Sequence, residues 1–521
     1  MQNNIPQKIA SIKYLWENDS KISPIAFILS ALFTSLFFYV SALFDIMFVA
    51  VLVVLALFLI WLMLHYPRVW IYCIVVGFVL FFGRKLGETT TKDIIVAGFY
   101  NSFLIIWFVY QLIIKPLSLK YHHSKNNVAI KYNEIPTIEF NIIDKFIFLF
   151  YLFLLFNFIL AVFNDVDLFA WFKEYLLYSL ILYYIPIREY FKEEKPLIFL
   201  VAILGLTSIA LSVQQIILYS TRMDYIMQAY QGIASWAVNQ QISSAGVIVG
   251  IVLFFYAKTK KGKLLSMLAT ILSAVAIIST FSRAFWASII FMLVVLILFL
   301  NYRQIFQLFA MIAISVSIVI LSLDTFLPAT YSNLFKQQVV KRFLSTSKGQ
   351  KDGSVLMRFE EYNAVYKMIA QAPITGHGLQ KIFSYYSPAY AKISNSLIGN
   401  VTTSFVHNGY LKLSYTIGIP MTALFYLSIF VYLFKGIIVA WKFGKYLPQR
   451  KFKNLNIYKF AELYRGLAIG AILTLGMLFI TNMATSSFFF KDGVMVTAFC
   501  LAFIGIADNK CKNLQKSFVN L

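Results

Sequence analysis

The chain has 521 residues, 60% of them hydrophobic and 13% charged, with a mean hydropathy of +0.76, which excludes an ordinary soluble domain. On a soluble protein the formal net charge of +23 would suggest nucleic acid. Here most cations fall in short loops between apolar runs, the usual topogenic pattern. Many of those runs reach about 20 residues, the length of a membrane-crossing helix, which excludes a β-barrel with its short alternating strands.

The first 23 residues are polar and the first apolar run is long, with no small-residue cleavage site. The first span therefore reads as retained rather than removed. Spans are predicted at about 24–44, 46–65, 69–82, 94–114, 145–163, 168–187, 197–219, 238–257, 264–281, 284–300, 304–322, 412–435, 466–484 and 493–507. Two of these, 69–82 and 493–507, are short enough to be re-entrant, so about 12 to 14 crossings are expected. The fold class is an all-α polytopic membrane protein with one large extracytoplasmic loop. Residues 1–322 form helices with short loops. Residues 323–411 form the loop, and 412–521 the C-terminal helices and a basic tail.

Loop charge predicts orientation. The turn Lys258-Thr259-Lys260-Lys261-Gly262-Lys263, the eight Lys/Arg between Lys435 and Arg465, and the tail with Lys510, Lys512 and Lys516 fall on one side if every span crosses. That side is expected to be cytoplasmic, together with both termini. The 323–411 loop then lies outside, although it carries nine Lys/Arg against four acids. A cationic surface on that side points to an anionic ligand. Within the loop, Ser354–Ala372 is predicted as a helix whose apolar stripe is Val355, Phe359, Tyr362, Tyr366 and Ile369. Pro373 ends it. Arg358 lies off the stripe near the helix N-terminus, where guanidinium and free N–H groups can address one anion.

Three positions stand out for chemistry. Arg283 lies between two apolar spans at the outer boundary, where it is either a snorkelling interfacial residue or a bidentate phosphate clamp. Arg358 is either such a clamp or a partner of Glu361 or Tyr362 on its own helix. His407, beside Asn408 at the mouth of a span, is either a polar anchor or a proton acceptor. Arg222 is a lesser candidate for the same anion. Asp165-Val166-Asp167 resembles an Asp-x-Asp metal motif, a weak signal. Lys173-Glu174 reads as a buried pair or a misplaced span. Cys73, Cys500 and Cys511 show no paired spacing, so neither a disulfide framework nor a zinc motif is expected.

Taken in order, these stretches resemble the O-antigen ligase and Wzy-type polymerase superfamily of bacterial membrane glycosyltransferases over about residues 200–430. Ser282-Arg283-Ala284-Phe285-Trp286 is similar to that family's Ser-Arg-x-x-Trp stretch. Arg358 followed by Pro373-Ile374-Thr375-Gly376-His377-Gly378 is similar to its Arg…Pro-x-x-Gly-x-Gly. His407-Asn408-Gly409-Tyr410-Leu411, running into Gly418-Ile419-Pro420, is similar to its His-Asn-x-x-Leu…Gly-x-x-Gly. Pro420 and Met421 depart from the pattern where glycine is common. Arg222, Gly232 and Asn239 follow a looser Arg…Gly…Asn segment.

The resemblance implies a fold related to C-type glycosyltransferases, with no cofactor or required metal. It implies a donor glycan on undecaprenyl diphosphate and a glycan or lipid A-core acceptor, with membrane lipid and no nucleic acid as partners. It places the protein in the bacterial cytoplasmic (inner) membrane. Arg283, Arg358 and His407 become the expected catalytic residues; Arg222, Ser282 and Asn408 are expected to bind substrate. The expected activity is surface-polysaccharide polymerase or ligase. The alternatives are a flippase of the same lipid and a protein O-oligosaccharyltransferase.

Overall fold

The computed structural model describes residues 47–82, 91–116, 138, 140–221, 240–326, 329–345, 353–388, 391, 399–446 and 458–519. The predicted 24–44 span, Arg222, Gly232, Asn239, Lys348, Lys351, Asp352 and Lys392 lie outside them. The chain divides into two units, Met1–Cys73 and Ile74–Leu521. The first unit contains α1 (Met47–His65) and the start of α2 (Pro67–Phe82).

The second unit holds the remaining helices. They are α3 (Thr91–Val109), α4 (Ile142–Phe163), α5 (Leu168–Ser179), α6 (Tyr184–Tyr190), α7 (Glu194–Thr221), α8 (Gln240–Tyr256) and α9 (Lys260–Ile278). After these come α10 (Arg283–Ile297), α11 (Tyr302–Phe326), α12 (Ala329–Ser345) and α13 (Gly353–Gln371). A two-stranded hairpin, β1 (Phe383–Tyr386) and β2 (Asn400–Thr403), precedes α14 (Gly409–Ile417), α15 (Ile419–Tyr446), α16 (Tyr458–Thr481) and α17 (Lys491–Val519). Among the described residues seven helices are long and apolar enough to cross a membrane, and three more are apolar but shorter. The protein is an all-α, multi-pass membrane protein.

Burial locates the centre of the bundle. The apolar stretches of α17 and α16 are 89% and 72% buried inside the protein, against 28% for α7 and for α9. The outer helices therefore keep an apolar surface of the kind lipid solvates, while α16 and α17 are core. Local chemistry sets the helix starts. Asn141 and Asp144 form a capping box on α4, Asp167 caps α5 and Thr259 caps α9. The Asp-x-Asp tripeptide is thereby given a structural job. Asp167 Oδ1 accepts the Phe169 N–H at 2.9 Å, and Asp165 turns the chain at φ 50°.

Two predicted spans are broken. The 168–187 run is α5, a 3₁₀ turn at Leu180–Tyr183, and α6. The 412–435 run is two helices, α14 and α15, parted at Gly418 with φ 84°. A Cβ at Gly418 would sit 2.0 Å from the Ile374 carbonyl oxygen, so only glycine fits that break.

Contacts between helix ends sort the loops into two groups. Lys510 and Tyr464 meet Glu194, Lys258 approaches Glu462, and Arg465 bonds the Phe299 carbonyl. At the opposite ends, Ser486 bonds Val406, Tyr362 bonds Met483, Asn164 bonds His377, and Asp492 accepts from Gln241. These are the same two groups that the lysine pattern assigns to the two sides.

Candidate active site

The site is built at the ends of α16 and α17 remote from the lysine-rich turns. Its base is the 482–490 turn. Gly409 N–H donates to the Asn482 carbonyl at 2.9 Å, and a Cβ at Gly409 would meet Asn482 Oδ1 at 2.1 Å. The glycine after His407-Asn408 is thus fixed by close approach. Asn408 caps α14 by accepting the Tyr410 and Leu411 N–H groups at 2.9 and 3.1 Å. Its side-chain oxygen is therefore occupied by the helix.

The Pro-x-x-Gly-x-Gly turn has a structural origin too. His377 N–H and Gly378 N–H donate to the Tyr415 and Thr416 carbonyls at 3.0 and 2.9 Å, closing the C-terminal end of α14. Gly376 (φ 69°) and Gly378 (φ 100°) occupy the left-handed region, and a Cβ at Gly376 would lie 2.5 Å from the Thr416–Ile417 backbone. The His377 ring bonds the Met368 carbonyl at 2.8 Å. It is a turn residue.

Helix α13 packs on this platform through Val365 and Ile369, which join Phe383, Val406, Leu411 and Tyr415 in one buried cluster. The buried face only partly follows the predicted stripe: Ile369 is in the cluster and Tyr362 packs on it, but Phe359 and Tyr366 are 48% and 57% exposed. Glu361, one turn before Val365, points inward with only 2% exposure. One of its carboxylate oxygens accepts the backbone N–H of His407 at 2.7 Å, and the other lies 2.6 Å from His407 Nδ1. An ionised carboxylate only accepts, so Nδ1 is the nitrogen that donates to Glu361, and Nε2 is the nitrogen that Glu361 does not engage. The imidazole is about one-third exposed and packs edge-on against Phe405.

Arg358 lies three residues before Glu361 and is half-buried, so the guanidinium-bearing residue and the His407 partner are helix neighbours. Tyr362, the next residue, donates to the Met483 carbonyl at 3.1 Å. Burial lifts its phenol to about 12 against the lowering influence of Arg358, so it stays protonated.

Arg283 occupies the first turn of α10. Helices α10 and α16 run antiparallel: Met292 faces Gly476 and the Phe299 carbonyl meets Arg465. Nine residues before Met292, about 14 Å along the axis, Arg283 is level with the turn that follows Thr481. It therefore shares the end of the bundle that carries His407. The local reasons for this segment are explicit. Phe281 adopts φ 52°, Ser282 is extended and makes no capping bond, and Trp286 Nε1 donates back to the Ile277 carbonyl at 3.1 Å. The tryptophan of Ser-Arg-x-x-Trp thus staples α10 to the end of α9. A cation at a helix start opposes the macrodipole.

Two features escaped sequence reasoning. Glu361 could have been found as the acid in register with Val365 and Ile369 on a helix face. The other is a buried ion pair beneath the site between Lys412 of α14 and Glu174 of α5, with Tyr178 bonded to the same carboxylate. Glu174 therefore pairs across the bundle rather than with Lys173. The Lys412 ammonium lies 6.0 Å from the Phe405 ring centroid, one ring away from His407.

The sequence model of the O-antigen ligase family matches residues 268–426, from α9 into α15. That stretch includes Arg283, Arg358, Glu361 and His407. No curated protein matches the chain.

Proposed function

We propose, from the premise that this chain carries an O-antigen ligase family domain over residues 268–426, that it transfers a glycan from undecaprenyl diphosphate to a sugar hydroxyl at the outer face of the cytoplasmic membrane. The observation carrying this reading is the His407–Glu361 pair, with Nδ1 held at 2.6 Å and Nε2 left to accept a proton. His407 Nε2 takes the proton of the attacking hydroxyl as its oxygen bonds to the anomeric carbon. The bond from that carbon to the diphosphate oxygen breaks, and the diphosphate leaves with the electron pair. Arg283 and Arg358 stabilise the charge that grows on it. A single displacement inverts the anomeric configuration. Ser282 and Arg222 assist in holding the anion, and Asn408 sets the helix start that carries His407.

Polymerase and ligase share this donor chemistry and differ in acceptor. Polymerase is favoured slightly, because no lipid A contact is recognisable in the chain. The test is transfer in vitro from a defined diphosphate-lipid donor to candidate acceptors, with chelator present. Product with inverted configuration that disappears in His407→Ala supports the reading. Full product from His407→Ala, or movement of intact donor across liposomes without transfer, overturns it. In cells, loss of a polymerase leaves single-repeat glycan, whereas loss of a ligase leaves bare lipid A core and accumulated lipid-linked polymer.

A further inference from the structure

A channel of about 330 Å³ runs through the bundle between α7, α8, α9, α16 and α17. One face of α8 lines it from Ile242 to Tyr256, and the lining continues through Ala257, Lys258 and Thr259. Over the helical part, Ile242 to Tyr256, a rise of 1.5 Å per residue gives about 21 Å, most of the thickness of a bilayer's hydrocarbon core. The walls are apolar side chains such as Val249, Leu253, Leu265, Leu467 and Phe503. Such a volume is within the range of small-molecule sites, and its length and lining suit a hydrocarbon chain.

The charged lining is concentrated at one end, while Thr207, Ser208, Ser266 and Thr474 lie along the walls. Lys258 and Thr259 line that mouth, and Lys260, Lys261 and Lys263 flank it in the turn. The acid facing them is Glu462, 4.0 Å from Lys258, and Arg465 stands over the Tyr256 ring at 5.7 Å. Among the described residues, Lys258, Lys260, Lys261, Lys263 and Arg465 give this rim a basic character. Just inside it is Tyr256, 6% exposed, whose hydroxyl has no hydrogen-bond partner among the described residues. The Tyr256 side chain lines the wall, and its buried hydroxyl is a donor that an acceptor bound at this end of the channel would satisfy.

We propose that this channel binds an anionic glycerophospholipid, with its phosphate at the Lys258–Lys263 turn, an ester oxygen accepting from Tyr256, and an acyl chain along α8. The basic rim supplies the preference for an anionic headgroup, and the apolar wall supplies chain burial. The site lies at the end of the bundle opposite His407. Its occupant is a resident of the lysine-rich leaflet rather than the glycan donor, and the proposal does not depend on the glycan chemistry.

Native mass spectrometry of the delipidated full-length chain tests it, with dioleoylphosphatidylglycerol, dioleoylphosphatidylcholine and undecaprenyl phosphate as probes. One phosphatidylglycerol should remain bound under activation that strips phosphatidylcholine. Binding should weaken by at least about tenfold when Lys258, Lys260 and Lys261 are all replaced by Ala. Ala202→Phe, which fills the channel, should abolish retention. Tyr256→Phe removes one oxygen and keeps the ring, so it should weaken phosphatidylglycerol retention even if the larger changes impair folding. Equal retention of the two phospholipids, unchanged binding in Tyr256→Phe, or displacement of phosphatidylglycerol by undecaprenyl phosphate would each overturn the proposal.

Discussion

Glu361 holds His407 at two points, taking its backbone N–H with one carboxylate oxygen and facing Nδ1 with the other. The first contact fixes where the residue sits, and the second fixes which nitrogen keeps the proton. Glu361→Gln tests the second separately. An amide can donate to Nδ1, which moves the ring proton to Nε2 and removes the base. We expect transfer to fall by about 10²–10⁴-fold, with donor KM little changed and normal protein accumulation. Glu361→Asp should recover part of the rate. A Glu361→Gln enzyme with wild-type kcat would show that the carboxylate only supports the fold.

Arg283 and Arg358 should respond to the shape of the cation as well as its charge. A planar guanidinium matches two phosphate oxygens, which an ammonium cannot do. We expect Arg283→Ala and Arg358→Ala each to lower kcat by about 10²-fold or more, and the Lys variants to retain only a small part of the rate. Steady-state transfer with the purified variants measures this. Lys variants equal to wild type would point to a general electrostatic role in place of a clamp.

The all-α membrane architecture was legible because long apolar runs and lysine placement are direct consequences of bilayer solvation. The Ser-Arg-x-x-Trp and His-Asn-Gly stretches were legible as motifs. Their physics was not: Trp286 reaches nine residues back to the Ile277 carbonyl, and Gly409 meets Asn482, 73 residues on. The inward face of α13 was only partly legible: Ile369 and Tyr362 were placed rightly, but aromatic Phe359 and Tyr366 suggested burial, whereas tertiary packing turned Glu361 and Val365 inward. A buried carboxylate looks unfavourable until its partner is known, and His407 lies 46 positions away. The break at Gly418 depends on the Ile374 carbonyl, which sequence periodicity cannot sense.

Gly376 should be sensitive for reasons of backbone rather than chemistry. Alanine there combines a left-handed φ of 69° with a Cβ 2.5 Å from the Thr416–Ile417 backbone. Gly376→Ala should therefore lower the melting temperature and the yield of monodisperse protein. Gly98→Ala, whose Cβ would meet only Leu176 at an ordinary 3.7 Å, is the control and should leave both near wild type. Fluorescence-detected size-exclusion chromatography on heated samples distinguishes the two. Equal thermal behaviour would mean that the turn relaxes away from α14.

The Lys412–Glu174 pair lies almost wholly inside the protein, with side-chain exposures of 9% and 4%. Removing one member leaves the other as an uncompensated buried charge, a change that typically costs about 3–5 kcal/mol. Lys412→Met and Glu174→Gln should each lower the melting temperature sharply. The double variant removes both charges and should recover much of the loss, because a buried ion pair adds little over a well-packed neutral one. Tyr178 can still bond the amide oxygen that Glu174→Gln leaves in place of the carboxylate, so its hydroxyl keeps an acceptor. Since Lys412 and His407 both pack on the Phe405 ring, and the double variant leaves that ring in place, it should keep most of its transfer activity once folded. A double-mutant cycle on melting temperature, read beside kcat, separates the outcomes. Recovered stability without recovered kcat would assign the Lys412 charge a part in positioning the base.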